Sequence, residues 1–317
     1  MTSPRRNLFE PGQAGAYHCV SRCVRRARLC GIDGYTGKSF EHRKPIVEER
    51  IQQLGEIFAV GIHTYAVMSN HVHVVLSIAA RSSYDWSDEE VARRWLLLYP
   101  PKPTDFAARL SELCKDLQRL KVLRDRLADL SWFMKSLSEP TARMANAEDN
   151  CKGRFWEGRF KCQVLLSENA MLAACAYVDL NPIRAKIATS VTTSTHTGVV
   201  KRAKALAQNA SLAEQALTPL AGMISANFPR ISNAEYIALV DWTGRQLHPG
   251  KRGKIAMDEP PALRKLGLDA AHWTMKVKGI GSGYWRAVGT AEQLMQKAKL
   301  MGQKWLCGVG LARLIQR

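Results

Sequence analysis

The first quarter of the chain alternates between patterns typical of strands and one pattern typical of a helix. Residues 17–24 alternate roughly between polar and apolar positions, which predicts a first strand. Pro45 then opens a run with apolar residues at helical spacing. Two β-rich runs follow, 61–68 and 71–78, and only two polar residues separate them, which predicts a hairpin. The order up to this point is β-α-β-β.

The middle of the chain predicts helices and then one more strand. Residues 82–149 are charged and helical in pattern, and the aromatic run 155–165 is typical of a final sheet strand. The complete order, β-α-β-β-α-β, predicts an α+β protein with a ferredoxin-like antiparallel sheet. In this prediction the helices over about 82–130 are an insertion between the third strand and the second long helix.

Beyond residue 188 the pattern weakens. The Thr- and Ser-rich residues 189–195 are typical of a linker, and the Gly-rich residues 279–283 are interpreted as a turn because they follow no clear strand. We therefore predict two parts, a domain over 1–195 and a basic, mainly helical C-terminal extension over 196–317. The pattern assigns no particular fold to this extension.

Composition narrows the class of protein. A 317-residue chain with 46% hydrophobic residues is typical of a globular protein. No run approaches the roughly 18 consecutive apolar residues of a membrane span, and no apolar segment follows the N-terminus, so we expect a cytoplasmic protein that makes no contact with a membrane. Cys19 and Cys23 suggest a metal site, but at this spacing on a strand they are better interpreted as buried structural thiols.

The charge points to a polyanionic partner. Lysine and arginine number 46 against 28 acidic residues, a formal net charge of +18, and nucleic acid is the first candidate for such an excess. Residues 201–317 hold 18 basic and 7 acidic residues. Aromatic residues that can stack on unpaired bases are scattered among them: Trp242, Trp273, Tyr284, Trp285 and Trp305. The extension is therefore a candidate DNA-binding region, or alternatively a cover that restrains a catalytic face.

Two pairs of residues suggest a catalytic site. His71 and His73 lie two residues apart on a predicted strand, so their imidazoles leave the same face and form half of a metal site. Tyr177 and Asn181 lie four residues apart at the end of a helix that Ser167 can cap, so they share a face of that helix. An Asn oxygen beside two imidazoles suits Mg²⁺ or Mn²⁺, and a cation on a phosphate makes a phenol an effective nucleophile. Alternatively, the histidines are partly exposed strand residues and Tyr177 is a core aromatic.

A further group combines basic and aromatic side chains near the predicted last strand and helix. These candidate DNA-binding residues are Arg154, Trp156, Arg159, Lys161 and Arg184. Stacking on bases and neutralisation of phosphates would explain the combination, although the packing of an amphipathic strand would also do so.

The segment Met68–Leu76 resembles the HUH motif (His, hydrophobic, His) of single-tyrosine transposases. Residues 158–161 and 176–185 resemble the nucleophile region of one branch of that family, the REP-associated tyrosine transposases. Two motifs in this order, about 105 residues apart, are more specific than either motif alone. The resemblance covers about residues 16–190.

The resemblance implies a ferredoxin-like HUH domain that cuts and rejoins single-stranded hairpin DNA of the REP type. Tyr177 would be the nucleophile, leaving a 5′-phosphotyrosine link, and His71, His73 and Asn181 would bind Mg²⁺ or Mn²⁺. Rejoining would need no ATP, and the sequence holds no P-loop. Two alternatives stay open, a hairpin-binding protein that does not cut and a metal-dependent hydrolase in which Tyr177 is structural. Both a monomer and a homodimer are compatible with the sequence.

Overall fold

The computed structural model describes residues 14–24, 29–223, 229–247 and 258–316. These residues form an α+β structure, as the sequence predicts, in which helices pack on both faces of a mixed sheet. The strands are β1 (Gly15–Arg22), β2 (Val60–Val67), β3 (His71–Ile78), β4 (Lys161–Leu165), β5 (Ala221–Gly222) and β6 (Ala287–Val288). The α-helices are α1 (Arg43–Ile57), α2 (Ala80–Tyr84), α3 (Asp88–Leu98), α4 (Phe106–Cys114), α5 (Leu117–Leu127), α6 (Leu130–Glu148), α7 (Glu168–Asp179), α8 (Asn181–Arg184), α9 (Gly198–Gln208), α10 (Asn233–Leu247), α11 (Pro261–Lys265), α12 (Ala270–Ser282), α13 (Ala291–Leu300) and α14 (Val309–Ile315).

The strand order in the sheet is β5-β2-β3-β1-β4-β6. The four central strands pair antiparallel, whereas the two-residue strand β6 pairs parallel with β4. The sheet is therefore mixed and not wholly antiparallel, because the C-terminal extension adds a short strand to each edge. Two residues are too few to produce an alternating pattern, so the sequence did not predict β5 or β6.

The predicted strand over 155–165 is shorter in the structure. Regular pairing with β1 covers Lys161–Leu165, and Trp156 forms an isolated bridge with Cys23. The chain bends over 157–159, where the Glu157 amide donates to the Arg22 carbonyl oxygen. The bend separates the bridge from the strand, so the aromatic run as a whole does not lie in the sheet.

The two faces of the sheet are covered by different parts of the chain. Neighbouring residues on a strand point to opposite faces, and on β2 the Tyr65 hydroxyl donates to Glu48 of α1 while the Thr64 hydroxyl donates to Asp179 of α7. Helix α1 packs beside α6 on one face. Helix α7 is buried around most of its circumference because it lies between the other face and the C-terminal extension.

The C-terminal extension shares the buried core of the N-terminal part. Buried side chains on α9, α10 and α12 belong to one continuous apolar cluster with those of the central strands. The predicted linker over 189–195 is a compact turn, in which the Thr193 hydroxyl accepts from the Ser190 amide and Val191 is buried. No helix within the described residues is long and apolar enough to cross a membrane.

The interpretation of residues 279–283 as a turn is wrong for most of the segment, because residues 279–282 are the last residues of α12. Glycine is unfavourable inside a helix, but here close packing requires it. A Cβ on Gly279 would lie 2.5 Å from the Leu311 side chain, and one on Gly281 would lie 2.6 Å from the Tyr177 hydroxyl oxygen. Close packing against Leu311 and Tyr177 therefore explains why these glycines lie in a helix and not in the predicted turn.

Candidate active site

The structure brings three of the predicted site residues together on the α7 face of the sheet. His71 and His73 project from β3, and their ring centroids are 4.7 Å apart. The Tyr177 ring on α7 lies edge-on to the His73 ring, with 6.0 Å between the centroids. Strand alternation sets the direction of both histidines, and α7 carries Tyr177 to them.

Helix α7 is held in this position at both ends. The Ser167 hydroxyl accepts from the Ala170 amide and caps the first turn, as the sequence predicts. At the other end the fully buried Asp179 accepts hydrogen bonds from the Thr64 hydroxyl at 2.6 Å, from the Val199 amide at 3.0 Å and from the Tyr236 hydroxyl. Burial raises the pKa of Asp179 to about 6, against the effect of these donors. The carboxyl therefore joins β2, α7 and the extension.

His18 on β1 is a site residue that the sequence did not reveal. In the register of β1 and β3, Val20 lies opposite His73, so His18 is a diagonal neighbour of His73 on the same face. The His18 Nε2 atom lies 2.9 Å from the His73 Nδ1 atom, and the rings stack with centroids 5.1 Å apart. Strand pairing is a long-range property, and only knowledge of the register would have indicated His18.

Gln163 on β4 is a second site residue that the sequence did not reveal. Its Oε1 atom lies 2.8 Å from the His18 Nδ1 atom. Its Nε2 atom donates to the carbonyl oxygens of Ile280 and Tyr284, each at 3.1 Å. A continuous series of hydrogen bonds therefore runs from His73 to the backbone at the end of α12.

The three histidines are neutral at pH 7. Burial lowers the pKa of His18 to about 4, and burial together with nearby Arg22 and His18 lowers the pKa of His71 to about 4. Burial, together with nearby His18, His71 and Arg184, lowers the pKa of His73 well below its ordinary value. Each imidazole therefore keeps one nitrogen lone pair at neutral pH.

One ring nitrogen of His73 has no partner among the described residues. The His73 Nε2 atom is buried and has no hydrogen-bond partner among the described residues, which costs on the order of 1–3 kcal/mol for a buried polar atom. The His71 Nδ1 atom lies 2.6 Å from the Asn70 side-chain oxygen, which leaves its Nε2 atom as the second available nitrogen. Both atoms are suited to bind a cation.

Asn181 is the first residue of α8 and lies beside the nucleophile candidate. Its side-chain amide donates to the Tyr177 carbonyl oxygen at 3.3 Å. The described residues contain no group of three or more His, Cys, Asp or Glu side chains that could hold a metal ion. A cation at this site would therefore depend on the amide oxygen as well as the imidazoles. Cys19 and Cys23 are buried thiols, as expected of structural cysteines.

The predicted DNA-binding residues lie in three different environments. The Arg184 guanidinium lies over the Tyr177 ring, 4.4 Å from its centroid. Arg154, Arg159 and Lys161 are exposed. Trp156 is half-buried and donates from its indole nitrogen to the Ser138 carbonyl oxygen at 2.7 Å, so part of its role is structural.

No protein-family model matches the chain, and no curated protein matches it. Among solved structures, the chain is similar to that of a REP-associated tyrosine transposase bound to a REP hairpin. The two share 12% identity and a TM-score of 0.39, and the similarity covers 73% of this chain and 99% of that chain. With a likeness of this extent, function has to be argued from the residues of this chain.

Proposed function

We propose that this protein is a single-tyrosine, HUH-type endonuclease and strand transferase that acts on single-stranded hairpin DNA. The observation that carries the proposal is Tyr177 edge-on to His73, whose buried Nε2 atom lacks a partner. In this proposal β1 to β4 with α1 and α6 are a ferredoxin-like catalytic core within residues 1–195, and residues 196–317 are the C-terminal extension.

The proposed cation is Mg²⁺ or Mn²⁺, held by the Nε2 atoms of His71 and His73 and by the Asn181 oxygen. The donor set is compatible with these ions, because the amide oxygen is a hard ligand and the set lacks the thiolates typical of a structural zinc site. When bound, the cation would polarise the scissile phosphate.

Tyr177 is the proposed nucleophile. Its oxygen forms a bond to phosphorus as the bond to the leaving 3′-oxygen breaks, which gives a 5′-phosphotyrosine and a free 3′-hydroxyl. The proton lost by the phenol is balanced by the proton gained at the 3′-oxygen. The Arg184 guanidinium over the ring stabilises negative charge on the phenolate and the phosphate.

The proposed DNA contacts extend beyond the site. Arg154, Arg159 and Lys161 are exposed beside the last central strand. In the extension, Trp242, Trp273 and Tyr284 are buried and serve the core, whereas Trp285 and Trp305 are 66% and 65% exposed. Trp285 and Trp305 are therefore the residues of the extension that would stack on unpaired bases.

One observation favours a second candidate function, a hairpin-binding protein that does not cut DNA. Gly281 of α12 lies directly against the Tyr177 hydroxyl, so the extension restricts access to the proposed nucleophile. A protein that retained only hairpin recognition would tolerate this contact.

A denaturing gel after incubation with hairpin oligonucleotides separates these functions. We expect a covalent protein–DNA band with Mg²⁺ or Mn²⁺ and none after EDTA treatment or in His71→Ala. Released fragments without a covalent band would indicate a hydrolase. A shift that appears only on native gels would indicate the binding protein, and a full covalent band in EDTA would exclude the role of the cation.

A further inference from the structure

The hydrogen bonds around His73 assign a direction to every proton between this residue and the C-terminal extension. The backbone fixes one end of this series, because the carbonyl oxygens of Ile280 and Tyr284 can only accept hydrogen bonds. The nearby terminal atom of Gln163 is therefore its NH₂ group, which donates to both carbonyls at 3.1 Å. The opposite amide orientation would place an oxygen against two carbonyl oxygens.

The positions of the protons on His18 and His73 follow from this orientation of the Gln163 amide. The Gln163 oxygen faces His18, so the His18 Nδ1 atom carries a proton and donates at 2.8 Å. Neutral His18 then has a lone pair on Nε2, which accepts from the His73 Nδ1 atom at 2.9 Å. Neutral His73 therefore has its lone pair on Nε2, the buried atom without a partner.

We infer that His18 and Gln163 are positioning residues, which fix His73 in the tautomer that presents a lone pair at Nε2 to the proposed cation. The series ends on backbone carbonyls of the extension, so the end of α12 is a structural part of the site. This inference rests on the proposed function, because the lone pair at His73 Nε2 serves the site only if the proposed cation binds there. The direction of the protons depends on the geometry of His18, His73, Gln163 and the two carbonyls, and on both imidazoles being neutral, which their burial favours.

The surroundings of these residues support a positioning role. His18 and His73 are both buried, so water does not replace a lost partner. Hydrogen bonds to the second nitrogen of a ligating histidine fix its tautomer and ring orientation, and their removal typically weakens metal binding about 10–100-fold.

The first test measures Mn²⁺ binding to the full chain by titration calorimetry. We expect His73→Ala to lose binding and His18→Phe, which keeps a ring of similar size, to bind about 10–100-fold more weakly than the wild type. Gln163→Leu should weaken binding in the same direction. The control is His272→Phe on α12, where the His272 ring lies 3.7 Å from Asp269, and the Mn²⁺ affinity of this variant should be unchanged.

The outcomes separate the two proposals. Loss of binding in His73→Ala with wild-type affinity in His18→Phe would overturn the positioning role and leave the cation site standing. Equal binding by the wild type and His73→Ala, or no binding by either, would overturn the cation site. The positioning role would then be decided by the second test.

The second test needs neither a variant that folds nor a bound cation. Two-bond proton–nitrogen correlation spectra of histidine-labelled, metal-free wild-type protein distinguish the two neutral tautomers. We expect protons on the Nδ1 atoms of both His18 and His73. A proton on the His73 Nε2 atom would overturn the inference, whatever the result of the calorimetry.

Discussion

The N-terminal part, up to residue 195, and the C-terminal extension contribute to the same candidate site by different physical means. His71, His73 and Tyr177 contribute side chains, and their local spacing on a strand and a helix determines where those side chains point. The extension contributes two backbone carbonyls, at Ile280 and Tyr284, and the missing Cβ of Gly281. Side chains that carry chemistry therefore leave a motif in the sequence, whereas backbone contributions leave almost none.

The two regions also differ in what their composition reveals. In the N-terminal part the residue type and its position together identify candidates for chemistry. In the extension, five aromatic residues look alike in the sequence, yet three are buried and only Trp285 and Trp305 are largely exposed. Composition gives the number of aromatic residues but does not distinguish those in the core from those on the surface.

The largest effect is expected at the nucleophile. Tyr177→Phe removes only the hydroxyl, so it should abolish the covalent adduct while hairpin affinity stays within about twofold of the wild type. A denaturing gel and a binding titration measure the two quantities. Tyr84→Phe is the matched control, because Tyr84 is exposed and its hydroxyl donates to Asp125 far from the histidines. Wild-type adduct levels in Tyr177→Phe would contradict the role of Tyr177 as the nucleophile of the N-terminal part.

The next largest effect is on the free energy of unfolding, which depends on pH through a histidine at the contact between the two regions. His63 on β2 contacts Ser77, and its carbonyl oxygen accepts from Arg202 of α9. Burial, with a contribution from Arg202, lowers the pKa of His63 from 6.5 to about 3. Below pH 6.5 the unfolded chain binds this proton and the folded chain does not, so stability falls as the pH falls.

We expect His63 to lower the free energy of unfolding by about 2 kcal/mol between pH 6.5 and pH 5. Urea denaturation at pH 7 and pH 5 measures this loss, and His63→Gln should reduce it by that amount. His272→Gln, on the outer side of α12, should leave the loss as large as in the wild type. An unchanged pH dependence in His63→Gln would contradict the prediction.

The third effect tests whether the extension supports or restrains the site. Gly281→Ala adds a Cβ that would lie 2.6 Å from the Tyr177 hydroxyl oxygen, so the hydroxyl or α12 must move. If the extension is part of the site, we expect the rate of adduct formation to fall about tenfold, because small displacements of reacting groups are costly. Gly310→Ala on α14 meets no atom within 4 Å and is the control. A faster rate in Gly281→Ala would instead identify the extension as a restraining cover.

The smallest effect is expected on DNA affinity. Trp285→Ala and Trp305→Ala should each weaken hairpin binding by about 1 kcal/mol, or roughly fivefold, if each indole stacks on one base. Fluorescence titration measures the affinity, and thermal unfolding should be nearly unchanged because both side chains are largely exposed. Leu300→Ala, at an even more exposed apolar position, should bind as the wild type does. Wild-type affinity in both tryptophan variants would remove the aromatic part of the proposed DNA contact.

The sequence predicted those parts of the fold that depend on neighbours along the chain. The shared face of His71 and His73 and the Ser167 cap of α7 follow from spacing within one element, and the ring contacts and hydrogen bonds agree with them. His18 and Gln163 depend on the pairing of β1 with β3 and β4, which local patterns do not encode. The helical residues 279–282 depend on packing against Tyr177 and Leu311, which outweighs the low helix propensity of glycine.

The two shortest strands have a consequence for synthesis of the chain. Strands β5 and β6 each pair with two residues at an edge of the central sheet, yet β6 follows β4 by more than a hundred residues. At the usual speed of translation, roughly 10 s pass after β4 is made before the residues that protect its outer edge exist. During that interval the nascent sheet exposes unpaired backbone groups, which favour pairing with other chains. Yield in the cell is therefore expected to depend on translation speed and on chaperones that occupy this edge.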